Sequence, residues 1–86
     1  MSYMKRLFDW FTNTYPVNYQ LRMEDCPLIK AIAVCVDICL PDKKDIDITV
    51  RTYIYEEELY NPEEDTIEVI KRTVVNMMER YKNEKV

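Results

Sequence analysis

The chain has 86 residues, a net charge of −4, three cysteines, and neither glycine nor histidine. Its length bounds it to one domain whose burial leaves only a few kcal/mol of net stability. Without glycine no P-loop or dinucleotide fingerprint can form, and without histidine the commonest general base and metal ligand are missing, so no cofactor and no catalytic residue are expected.

From Ser2 to Asn13, Tyr3, Leu7 and Trp10 fall at helical spacing with Met4, Phe8 and Phe11 on the adjoining stripe, which predicts a short, aromatic helix. Asn13 is the expected left-handed C-cap, with Pro16 stopping the helix beyond it. The first eleven residues have no continuous apolar run and no small-residue cleavage site. A secretory signal is therefore not expected, and the cytoplasm is the expected setting, a host's cytoplasm if the protein is viral.

Val17 to Glu24 alternates apolar and polar residues, the pattern of an edge strand with one buried face. The next run, Leu28 to Leu40, is apolar on both alternating faces, rich in β-branched residues and bounded by Pro27 and Pro41. It is too short to span a membrane and is expected as the central strand. Pro41-Asp42-Lys43-Lys44 is then a tight turn. Asp45 to Tyr55 forms the third strand, with Ile46, Ile48, Val50, Thr52 and Ile54 on one face. Asn61-Pro62-Glu63-Glu64 reads as a helix start, Asn61 as N-cap and Pro62 at the first helical position. Ile67, Ile70, Val74, Met77, Met78 and Tyr81 give this helix a core stripe running to about Lys82. The fold expected is α+β, in the order α-β-β-β-α: a three-stranded antiparallel meander packed by two helices.

Cys26, Cys35 and Cys39 are odd in number, unlike a secreted disulfide framework. Cys35 and Cys39 lie roughly 13 Å apart along one strand face and cannot bridge each other. Three cysteines without histidine leave a zinc site one ligand short, and Asp42, Asp45 and Asp47 lack the spacing and glycine of a calcium loop. Inert thiols and no metal are expected.

Two surfaces stand out as binding candidates. Glu56, Glu57, Glu58, Glu63, Glu64 and Asp65 place six acids within ten residues, and the segment 42–65 holds the whole acidic excess of the chain. Such a patch suits a basic partner, including a nucleic-acid-binding protein whose phosphate-binding channel it would occupy by mimicry. The second surface is the sheet face away from the helices. There a stripe of Ala31, Ala33 and Cys35 is edged by Arg51, Tyr53 and Tyr55, residue types enriched at interfaces. The order α-β-β-β-α is also that of double-stranded-RNA-binding domains, but their last helix starts basic where this one starts Pro62-Glu63-Glu64-Asp65. Direct nucleic-acid contact is not expected, nor is membrane binding. The expectation is a non-enzymatic protein-binding module, of the kind of a phage-encoded inhibitor, with a homodimer sealed through Ala31, Ala33 and Cys35 as the alternative.

Overall fold

The computed structural model of the chain describes residues 3–40, 45–60, 63 and 65–84. Its elements are α1 (Tyr3–Thr14), β1 (Tyr19–Cys26), β2 (Ala31–Cys39), β3 (Ile46–Tyr55), α2 (Glu56–Leu59) and α3 (Thr66–Glu84). The strands form one antiparallel sheet in the order β1-β2-β3. This is the α+β meander expected, with the acid-rich Glu56–Leu59 segment adding a single helical turn.

Alternation along the strands sends one set of side chains to the helices. Leu21 of β1, Val34, Val36 and Ile38 of β2 and Ile54 of β3 meet Leu7 and Phe11 of α1 and Ile70, Val74, Met77 and Met78 of α3 in a single core. Both long helices therefore cover the same sheet face. On α1, Leu7 and Phe11 are one turn apart and buried, while Trp10, Phe11, Tyr15 and Tyr19 form a chain of ring contacts with centroids 4.9 to 6.4 Å apart. Lys71 of α3 sits 5.6 Å above the Trp10 ring, an arrangement that joins the two helices by cation–π attraction. The aromatic character of α1 thus serves the core. Among the described residues no helix is long and apolar enough to cross a membrane.

Several local expectations are corrected. Asn13 is not a left-handed cap: α1 continues through Thr14, and Lys30 is the residue with positive φ among the described residues. Val17 is fully exposed, because a turn closed by Tyr19 N–H on the Pro16 carbonyl (3.0 Å) delays β1 to Tyr19. Leu28 and Ile29 lie outside the central strand. Pro27 starts a 3-10 turn, Pro27–Ile29, that ends on Lys30 at φ 53°, ψ 52°. A chain without glycine here forces a lysine into the left-handed region, where a side chain costs roughly 1–2 kcal/mol.

A bulge supplies the next correction. The β2–β3 register steps from Ile38↔Ile48 to Cys39↔Ile46, leaving Asp47 as the extra residue. Two residues on β3 thus face one on β2, and Ile46 leaves the helix-facing set; its exposure is 54%. The expected turn at residues 41–44, together with Asn61, Pro62 and Glu64, lies outside the described residues. The helix predicted from Asn61 begins at Thr66 instead. Asp65 caps it: its Oδ1 accepts the Ile67 N–H at 2.9 Å, and its carbonyl accepts the Val69 N–H at 3.1 Å. Aspartate is as good an N-cap as asparagine and adds charge at the positive end of the helix dipole.

Truncating this cap with Asp65→Ala lowers unfolding stability by about 1 kcal/mol, whereas Ile70→Ala in the middle of the α3 core stripe lowers it by about 3 kcal/mol. Urea unfolding followed by far-UV circular dichroism measures both, and an Asp65→Ala loss near zero would reject the cap.

Candidate functional site

The sheet face away from the helices begins with the odd-numbered residues of β2. Ala31, Ala33, Cys35 and Asp37 all lie on it, and all are buried, with Cys35 at 0% exposure and Asp37 at 3%. Among the described residues α1 and α3 pack on the other face, so the burial comes from longer side chains of the flanking strands. Register places Gln20, Arg22, Glu24 and Cys26 on one side and Thr49, Arg51, Tyr53 and Tyr55 on the other.

Polar contacts tie this canopy together. Arg22 donates from Nε to Asp37 Oδ2 at 3.0 Å and from Nη2 to Asp37 Oδ1 at 3.2 Å, while the Thr49 hydroxyl donates to Asp37 Oδ1 at 2.8 Å. Arg22 also pairs with Glu24, whose carboxylate lies 3.8 Å from Arg51 Nη2. The Asp37 carboxylate is held below its usual range mainly by the Arg22 hydrogen bond, helped by Thr49 and opposed by burial. The Arg51 guanidinium is held above its ordinary value first by the neighbouring Cys35 sulfur and then by Tyr53. A two-pronged Arg–carboxylate pair with a hydroxyl on the remaining lone pair satisfies a charge in the middle of a sheet. It also joins all three strands through side chains.

The sequence-derived sites divide accordingly. Arg51, Tyr53 and Tyr55 are exposed, whereas Ala31, Ala33 and Cys35 lie beneath the canopy. A seam built from those three residues alone is not on the surface of the chain. Among the acids, Glu56, Glu57 and Glu58 are exposed on α2 and Glu63 is exposed before α3; Glu64 lies outside the described residues and Asp65 caps α3. The six acids are thus not one uniform patch.

What the fold brings together is the end of β3 and the start of α2. Tyr55, Glu56 and Glu57 line an open concavity of about 300 Å³ with Ile29 and Lys30, and the Glu56 N–H donates to the Lys30 carbonyl at 2.9 Å. The neighbouring Leu28 is 99% exposed. Sequence reasoning missed Leu28 and Ile29 because it assigned them to the strand interior. It also missed the Arg22–Asp37 pair, although Asp37 was visible as a charge inside an apolar run and must find a partner.

Among the described residues no cluster of three or more His, Cys, Asp or Glu is placed to hold a metal. The chain matches no protein-family model, no curated protein and no solved structure.

The Asp37 contacts carry a pH signature. A carboxylate whose folded pKa is depressed adds stability that is present above its unfolded value, about 3.9, and is lost as pH falls through the lower folded value. Stability therefore declines on acidification below about pH 4. Asp37→Asn removes that part of the decline and costs about 1.5 kcal/mol at neutral pH, the lower end for hydrogen bonds to charged groups because water reaches Arg22. Urea midpoints of both proteins from neutral to acid pH test this, and parallel profiles would refute it.

Proposed function

We propose that the chain is a small protein-binding module and that it docks through the end of the sheet where Leu28, Ile29, Tyr53 and Tyr55 border Glu56, Glu57 and Glu58. The observation that carries this reading is the concavity in which exposed Ile29 and Tyr55 meet the exposed acids Glu56 and Glu57, with exposed Leu28 and Glu58 next to them in sequence. A domain this small cannot spare a leucine at 99% exposure and two half-exposed tyrosines without cost to solubility. Tyrosine beside aliphatic side chains is a common composition for interface anchors. The left-handed Lys30 backbone in the same concavity points the same way, since local strain gathers at working surfaces.

The partner that fits this surface offers an apolar side chain to the Ile29–Tyr55 concavity and Lys or Arg to the α2 acids. A basic nucleic-acid-binding protein meets that description, and occlusion of its surface would make this module an inhibitor. The free Cys26, Cys35 and Cys39 support a reducing setting such as the cytoplasm. No enzymatic step is part of this reading.

Affinity capture from a candidate host lysate tests the proposal when the unmodified chain is compared with two variants. The unmodified chain is expected to retain one stoichiometric protein. Leu28→Ser with Tyr55→Ala is expected to weaken that capture by more than tenfold, about 1.4 kcal/mol or more. Replacing Glu56, Glu57 and Glu58 with Gln is expected to weaken it at low salt and to remove most of its salt dependence. Retention of the same partner at equal affinity by both variants would sink the proposal.

A further inference from the structure

The outer edge of β3 is unpartnered among the described residues, and the chain carries the features of its own complement there. In the order β1-β2-β3 the edge is open, and among the described residues the ladder of β3 runs to β2 alone. An open groove of about 580 Å³ follows this edge, lined by Ile48, Thr49, Val50 and Arg51 on the strand and by Met77, Arg80, Tyr81 and Glu84 of α3. Both sheet faces of the strand contribute to the lining, so the groove wraps the edge itself. Ile48 and Val50 give it an apolar floor, and neither is fully buried.

We infer that β3 pairs antiparallel with β3 of a second copy of this chain, making a continuous six-stranded sheet across a two-fold axis near Thr49. Antiparallel pairing between identical edges requires an axis perpendicular to the sheet, which keeps the helix-bearing faces on one side and sets residues of like face opposite each other. The possible centres are then single residues. An axis at Arg51 would oppose Arg51 to its own copy. An axis at Thr49 sets Asp47 of each chain opposite Arg51 of the other, twice, with Ile48 against Val50 on the helix face, twice. Asp47 is exposed and, as the extra residue of the bulge, is left without a cross-strand mate within its own sheet.

The groove repeats this pattern on α3. Arg80 and Glu84 lie one turn apart beside the same stretch of strand, so two antiparallel copies of α3 bring Arg80 of one toward Glu84 of the other. Opposite charges thus stand four residues apart on both elements, Arg51, Arg80 and Glu84 lining the groove and Asp47 one residue beyond its lining on the strand, as a two-fold partner requires. The same arrangement gives no advantage to an arbitrary strand from another protein. Open edges recruit strands in general, and here the charges select the strand.

Sedimentation equilibrium of the full chain, up to millimolar concentration, is expected to give a reversible dimer. Asp47→Arg replaces two attractive cross-strand pairs by two repulsive ones and is expected to weaken the dimer by more than about tenfold, while circular dichroism stays unchanged because Asp47 has no cross-strand mate in its own chain. Thr49→Cys brings two thiols face to face at the axis, at a Cα separation of about 4.5–5.5 Å that a disulfide spans. Mild oxidation is then expected to cross-link the Thr49→Cys variant into covalent dimers, and a Gln20→Cys control on the β1 edge is expected to stay uncoupled. A monomer at every concentration overturns the inference and leaves the edge to a strand of another protein. A dimer that Asp47→Arg leaves intact, or one that cross-links through Gln20→Cys instead, overturns it equally; the Asp47→Arg result decides alone if Thr49→Cys does not fold.

Discussion

The central strand is apolar on both faces, while the chain has only enough helix to cover one. Everything else in the fold follows from how the second face is closed. On the helix side Val34, Val36 and Ile38 are buried by α1 and α3 in the ordinary way. On the other side Ala31, Ala33 and Cys35 are small enough for flanking side chains to close over them, and Asp37 supplies a fixed charge to which those side chains are tied. Small residues in the middle and long ones at the edges are therefore one device. Exchanging any of the three for a bulky residue would lift the canopy, whereas shortening the canopy would bare the alanines.

This solution also accounts for the placement of both proposed binding surfaces at the margins of the sheet. The middle of the open face is occupied by contacts that stabilise the fold, and a partner pressing there would compete with Arg22, Glu24 and Arg51 for their own ion pairs. At the Tyr55 end the network thins out, and along the outer side of β3 it reaches only Thr49, which donates to Asp37, and Arg51, 3.8 Å from Glu24. Binding energy at those places is drawn mostly from contacts that folding does not use, which matters in a domain with stability of the order of 5–15 kcal/mol.

How much of this was legible in the sequence depends on the range of the interaction that decides each feature. Strand alternation is local, so the three strands, their antiparallel order and the α3 stripe of Ile67, Ile70, Val74, Met77 and Met78 were readable. Burial of the small-residue stripe was not, because it depends on which side chains face one another across strands. Register also decided the fate of Ile46, which perfect alternation assigned to the core and a bulge at Cys39 removed from it. Leu28 and Ile29 misled for a different reason: their residue types favour strand, but Pro27 opens a 3-10 turn and the connection to β1 is too short to let the strand begin there. At α3, two residues four apart could each cap the helix, and propensity alone does not choose between Asn61 and Asp65. Of the proposed binding residues, Arg51, Tyr53, Tyr55 and Glu56–Glu58 were readable as exposed, while the juxtaposition of Tyr55 with Ile29 and Lys30 required the fold.

The two proposed surfaces do not compete, and their relative placement has a consequence. With the two-fold axis at Thr49, each Tyr55 stands six residues along its strand from the axis, in opposite directions. At the strand rise of about 3.3 Å per residue the two docking ends lie on the order of 40 Å apart, facing the same side of one rigid sheet. A partner that is itself dimeric, or that repeats along a filament or nucleic acid at matching spacing, would engage both ends at once. The second contact would then form at an effective concentration set by the sheet rather than by diffusion, and a weak single site would become a tight double one. A domain of this size, with only a few exposed anchors at each end, would gain more from such geometry than from any contact added to a single end.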